Sequence, residues 1–209
     1  MSQFSLKTRH EIFERDPWWD AFGAPLPNGE ILRRSLDDHY SAIEAIRLAP
    51  TVPEDVRQPF ETARNLYLYA YLVNQFLMVA ELQVRVSVEF ALRERAKQEK
   101  MSVRKNAGLA YLLGMAIRRR WILDDGFARF QMNEEIRRHN REVWPEVFED
   151  LPEPLRNDSQ RYCKILAESF PKIRNVLAHG SNMLYSTVLG SFEIAADLIN
   201  QLFAQSSSK

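Results

Sequence analysis

The chain is predicted to be all-α: an antiparallel helical bundle with an additional helix at its N-terminal side. Three observations predict it. Apolar residues recur at three- and four-residue steps over most of the 209 residues. Only 7 glycines are present, and prolines mark most of the breaks between periodic segments. No strand-type alternation, internal repeat, glycine-rich phosphate loop or His-Glu-x-x-His pattern is found. A helix with one apolar stripe must bury it against another element, and helices alone do so as a bundle. The division expected is 1–52 as an N-terminal extension with one helix, 53–205 as the bundle and 206–209 as a disordered tail.

The elements follow in order. Residues 1–29 read as a leader, because Asp16-Pro17-Trp18-Trp19 and the stretch from Ala24 to Gly29 carry turn chemistry. Its adjacent tryptophans are expected to dock on the protein's own core rather than on a partner. Residues 30–49 read as a helix with Leu32, Leu36, Tyr40, Ile43 and Ile46 on one face, ended by Pro50 and Pro53. A long helix is expected over 58–98, with Pro59 in its first turn and Phe60, Leu66, Leu77, Val84, Val88 and Leu92 among its apolar positions. Its length exceeds the globular norm, so it either breaks near Asn74 or forms the spine of a bundle or a dimer seam. After a basic linker at 100–105, a helix from about Asn106 runs into Arg118-Arg119-Arg120-Trp121. Asp124-Asp125-Gly126 is a turn, and 127–148 a charged helix bent at Pro145. Leu151-Pro152-Glu153-Pro154 breaks the chain, and Asp158 is placed to cap the next helix. That helix must kink or restart at Pro171, and Gly180 is suited to close it in a left-handed conformation. The last helix is expected over 187–203.

Composition narrows the function. Lys plus Arg and Asp plus Glu number 28 each, so the formal net charge is zero. That argues against a protein that coats nucleic acid non-specifically, since such affinity comes from neutralising phosphates, but it permits a local basic cleft. A single cysteine, Cys163, excludes an intramolecular disulfide and a thiolate metal cluster. No apolar signal segment opens the chain. The most apolar run, 66–82, contains Asn74, Gln75 and three tyrosines, so it reads as a buried helix rather than a membrane span. A cytoplasmic protein is expected.

The segment Arg174-Asn175-Val176-Leu177-Ala178-His179-Gly180 carries the chemistry. RNA cleavage without a metal needs a base for the ribose 2′-hydroxyl and a stabiliser for the negative charge that builds on phosphorus. Histidine titrates near neutrality, at about 6.5 when unperturbed. Arginine stays cationic and offers a planar fork of donors to phosphate oxygens. Asparagine can orient the imidazole or donate to phosphate. Asn175 and His179, four apart, share a helix face. Arg174 lies about 140° round the helix from His179, so convergence relies on arginine's length or on unwinding near Gly180. A plainer reading stands beside this one: a histidine before a helix-ending glycine interacts with the helix C-terminus.

The same segment resembles the Arg-Asn-x-x-x-His motif of the HEPN superfamily, the higher eukaryote and prokaryote nucleotide-binding domains. The resemblance implies an all-α bundle, making residues 53–205 HEPN-like. It implies a metal-independent endoribonuclease of the kind found in toxin–antitoxin, abortive-infection and antiviral defence systems. In it Arg174 and His179 would be the catalytic pair and Asn175 their support, with no cofactor and no metal. It also implies a homodimer in which two motifs face one cleft, and an antitoxin or nucleotidyltransferase partner. The stretch from Glu81 to Arg93 is similar to the acidic helix that packs beside the motif in relatives, so Glu89, and after it Glu81, are expected as partners of Arg174 or His179.

The remaining candidates are weaker. Arg118, Arg119 and Arg120, with Arg137, Arg138 and Arg141, can form a phosphate-tracking surface on the RNA substrate, although charge runs are usually solvated faces. Trp121 or Tyr185 can stack on a base, with packing the simpler role. His10, His39 and His139 have no partner apparent in the sequence. Asp37-Asp38 and Asp124-Asp125 lack histidines at ligand spacing, so no metal site is expected. Three functions result: the ribonuclease, yielding a 2′,3′-cyclic phosphate and a 5′-hydroxyl; a non-catalytic nucleotide- or partner-binding module; and a structural dimerisation domain.

Overall fold

A computed structural model describes residues 6–21, 23–25, 27, 31–143, 160–179 and 188–204. They form helices Leu36–Glu44 (α1), Glu54–Tyr69 (α2), Phe76–Gln98 (α3), Leu109–Arg118 (α4), Ala128–Val143 (α5), Arg161–Ala178 (α6) and Val188–Leu202 (α7). The all-α bundle expected from apolar spacing is present, with α3 at its centre, packed against α2, α4, α6 and α7. Phe60 of α2, Val84, Val88 and Leu92 of α3, Leu112 and Leu113 of α4, and Phe192, Leu198 and Ile199 of α7 have no exposed surface. Each such side chain contributes roughly 1.5–3 kcal/mol by leaving water. Among the described residues no helix is long and apolar enough to cross a membrane.

The stretch 58–98 is two helices, the alternative in which it breaks near Asn74. Residues 70–75 turn the chain back without a proline or glycine, and the leader supplies the reason. Asp16 donates its N–H to the Tyr71 carbonyl (3.0 Å) and accepts the Asn74 N–H on its carboxylate (2.9 Å). Trp19 is buried and donates Nε1–H to the Ala70 carbonyl (3.1 Å). Orphaned backbone groups at the corner thus find partners in residues far away in sequence. The expectation that the tryptophans dock on the core holds: Trp19 belongs to the main cluster and Trp18 packs against it.

Other boundaries shift. The first turn of α2 begins at Glu54 with Pro53 as its cap, so Pro59 stands inside the helix. The first predicted helix, 30–49, shrinks to α1, because Ser35 and Asp38 form a reciprocal capping box at its start. The preceding Ile31–Arg33 pairs antiparallel with Gly23–Pro25, a short ladder that apolar spacing does not announce. The buried face of α1 is His39 and Ile43, while Leu32, Leu36 and Tyr40 are exposed. Helix α6 runs through Pro171 without restarting. Gly180, Tyr185, Asp158 and the segment around Pro145 lie outside the described residues.

Candidate active site

Arg174 and Asn175 stand in the last turn of α6, and His179 caps its C-terminus, donating its backbone N–H to the Asn175 carbonyl (3.0 Å). Asn175 and His179 are exposed and Arg174 is half-buried, so the three groups face solvent rather than sealed packing. Arg174 Nη1 donates to Asn175 Oδ1 (3.3 Å), and Arg174 Nη2 lies 3.6 Å from Glu89 Oε2 on α3. The expected Glu89–Arg174 partnership is therefore seen. Among the described residues no hydrogen bond or ion pair joins Arg174 to His179. The angular offset between positions 174 and 179 of one helix explains this, since no unwinding brings them together before His179.

Glu81 goes elsewhere than expected. It is buried, receives Nε–H (3.0 Å) and Nη2–H from Arg85, and accepts the Ser191 hydroxyl of α7 (2.8 Å). Arg85 in turn donates to the Phe170 carbonyl of α6 (3.2 Å) and to Ser191 Oγ (3.1 Å), with its guanidinium 3.9 Å from the Phe170 ring centre. This network ties α3, α6 and α7 together inside the core, and among the described residues no side-chain hydrogen bond or ion pair joins Glu81 or Arg85 to the Arg174 or His179 side chain.

The basic run is also displaced from the motif. Arg118, Arg119 and Arg120 are exposed at the C-terminal end of α4, Arg120 with a positive φ of 55°. That end meets the start of α6, where Gln160 Nε2 donates to the Ile117 carbonyl (3.0 Å). Arg174 lies about 20 Å further along α6 at 1.5 Å of rise per residue. Trp121 packs against the core with the Arg95 guanidinium 5.6 Å from its ring, consistent with the packing role. His139 is exposed on α5.

A different cation stands at the motif end. Arg93, one turn after Glu89 on α3, donates Nη2–H to Glu89 Oε1 (3.0 Å) and to the Ala107 carbonyl just before α4 (2.5 Å). Glu89 thus lies between Arg93 and Arg174. Sequence reasoning passed over Arg93, although the Glu-x-x-x-Arg spacing that pairs it with Glu89 was readable.

Two acidic candidates are structural. Asp38 belongs to the capping box, and its carboxyl is held below the usual range by the backbone and hydroxyl hydrogen bonds of Ser35. Asp124 caps α6 from outside: its two carboxylate oxygens accept the N–H groups of Tyr162 and Cys163 (2.9 Å each). Burial, with Asp124 beside it, pushes the Cys163 thiol far up, so it stays protonated and unreactive. His39, without a visible partner in sequence, is fully buried between Tyr67, stacked at 4.5 Å, and Trp19 at 5.1 Å. Its Nε2 donates to the Tyr67 carbonyl (2.8 Å) and its Nδ1 meets no partner. Burial pushes this imidazole down to about 4.

Comparison with protein-family models, with curated proteins and with solved structures returns no match for this chain.

Proposed function

We propose that the chain is a metal-independent endoribonuclease of HEPN type. The observation that carries this reading is the Arg174-Asn175-His179 set at the C-terminal end of α6, with Asn175 and His179 exposed, Arg174 half-buried and its guanidinium flanked by Glu89 of α3. In this mechanism His179 takes the proton from the 2′-hydroxyl, or returns one to the departing 5′-oxygen. The 2′-oxygen attacks the adjacent phosphorus while the P–O5′ bond breaks, leaving a 2′,3′-cyclic phosphate and a 5′-hydroxyl. Arg174 neutralises the charge that builds on the non-bridging oxygens, and Asn175 orients the guanidinium it contacts. A base and an acid are both needed, and one motif offers one imidazole. A homodimer with two motifs facing one cleft supplies the second, and an antitoxin or nucleotidyltransferase would be the natural restraining partner in a defence setting.

The separation of Arg174 from His179 within one chain favours a second reading, a nucleotide- or partner-binding module in which Arg174 contacts phosphate without cleavage. Incubating RNA with the wild type and with His179→Ala in EDTA separates the two. The nuclease reading expects cyclic-phosphate products from the wild type and a loss of about 100-fold or more in the variant. Equal cleavage by both proteins eliminates His179 chemistry, and tight binding without cleavage selects the binding module.

A further inference from the structure

The motif end of the molecule contains one more guanidinium than the motif itself. We propose that Arg93 is a second phosphate-binding residue of this site, gripping the polynucleotide backbone beside Arg174. The inference rests on the reading that RNA occupies the face presented by Arg174, and deepens it by naming what holds the strand there.

Three features of Arg93 support the role. The first is placement: Arg93 and Arg174 sit on opposite oxygens of the Glu89 carboxylate, so the two cations are one carboxyl group apart. Two guanidiniums against one carboxylate leave the cluster with one net positive charge. The second is the way Arg93 is held. Both hydrogens of its Nη2 are committed, one to Glu89 and one to the Ala107 carbonyl, which fixes the plane of the fork. Among the described residues no acceptor meets its Nε or Nη1, and the side chain is 30% exposed. With both Nη2 hydrogens taken, neither paired-donor edge of the guanidinium is open, so Arg93 offers a phosphate oxygen single N–H bonds from Nε or Nη1 together with its permanent charge.

The third feature is the contrast with Arg174. Its approach to Glu89, 3.6 Å, is an ion-pair distance rather than a hydrogen bond, and its bond to Asn175 is long at 3.3 Å. Its Nε is buried without an acceptor. Arg174 is therefore loosely satisfied and free to swing onto a reacting phosphate, while Arg93 stays put. Arg93 would hold a phosphate adjacent to the scissile one, and Arg174 would serve the scissile group. A purely structural Arg93, tying α3 to the segment before α4, would engage the Ala107 carbonyl equally well and would leave RNA affinity untouched.

The test uses a single-stranded 2′-O-methyl RNA oligonucleotide, which cannot be cleaved by 2′-hydroxyl attack, and reads binding by fluorescence anisotropy across a salt series. The expected result is that Arg93→Gln weakens binding about ten-fold and lowers the slope of log K against log salt by about 0.7, one phosphate contact on a single strand. Arg93→Lys, which keeps the charge but loses the planar guanidinium held by Glu89 and the Ala107 carbonyl, is expected to keep the wild-type slope with intermediate affinity. A variant that matches the wild type in both affinity and slope overturns the proposal while leaving the RNA reading intact. A wild type that does not bind overturns the reading beneath it. Should Arg93→Gln fail to fold, phenylglyoxal modification of the wild type, mapped by mass spectrometry, decides the matter. Arg93 is expected to be protected by the oligonucleotide at low salt, and an unchanged modification rate refutes the role.

Discussion

Helix α3 carries the same local arrangement twice, and the two copies have different fates. Glu81 pairs with Arg85, and Glu89 with Arg93, each at i,i+4 spacing. Eight residues separate one pair from the next, which turns the second about 80° round the helix from the first. That rotation places the first pair under α6 and α7, with side chains 3% and 2% exposed, and the second at the rim, at 19% and 30%. In the core the guanidinium is consumed by Glu81, Ser191 and the Phe170 carbonyl. At the rim Arg93 has donors that meet no acceptor among the described residues, and the carboxylate has room for a second cation, Arg174. Spacing makes the ion pair; burial decides whether it becomes a brace or stays open at the rim, beside the candidate site.

The largest expected effect breaks the brace. Arg85→Ala leaves the Glu81 carboxylate buried and unpaired, and should cost about 3–5 kcal/mol in urea unfolding. Arg93→Ala, at the rim, should cost about 1 kcal/mol or less. Equal losses would erase the distinction between the pairs. A sharper form replaces both buried partners: Glu81→Leu with Arg85→Met should recover most of the loss, because apolar packing can substitute for a sealed ion pair.

A comparable effect concerns another sealed polar group, His39. The His39 imidazole is held at about 4 in the folded protein, below its ordinary 6.5. The folded state then binds fewer protons than the unfolded one. Its full contribution is present above pH 6.5 and is lost as pH falls toward 4, a decline of about 3 kcal/mol at most. Urea midpoints measured between pH 7 and 4.5 should fall steeply for the wild type and less for His39→Phe. A parallel decline in both proteins would remove His39 as the cause.

Smaller still is the cap supplied in trans. Asp124→Ala removes the acceptor for two N–H groups of α6 and should lower stability by about 1 kcal/mol, read as a shift in Tm. Since α6 carries both the brace's acceptor carbonyl and the motif, the sharper expectation is that cleavage per folded molecule stays unchanged. A loss of activity without a loss of stability would mean that the start of α6 serves the site directly.

Much of this was legible in the sequence, and the illegible part has a physical pattern. The bundle, the docking of Trp19 and the partnership of Glu89 with Arg174 follow from periodicity, from turn chemistry and from the family likeness of the motif. What escaped depends on distant contacts. A break near Asn74 is one of the readings that the length of 58–98 allows, but what decides for it, Asp16 and Trp19, lies far away in sequence, and residues 70–75 hold no proline or glycine to announce it. A cap of α6 comes from Asp124, across a long stretch of chain, where no local spacing announces it. Glu81 and Glu89 look equivalent until the rotation of α3 against its neighbours is known. Arg93 was hidden by the ordinariness of its signal, since i,i+4 pairs decorate many exposed helices.

The most direct test of the account is single-turnover cleavage of end-labelled RNA by the wild type and Arg174→Ala, with both proteins matched for Tm. Arg174 makes only loose contacts, so its removal should leave stability within about 0.5 kcal/mol. The account predicts 2′,3′-cyclic phosphate ends from the wild type and a rate at least about 100-fold lower from the variant. Undiminished cleavage by Arg174→Ala, or an RNA left intact by the wild type, would contradict it.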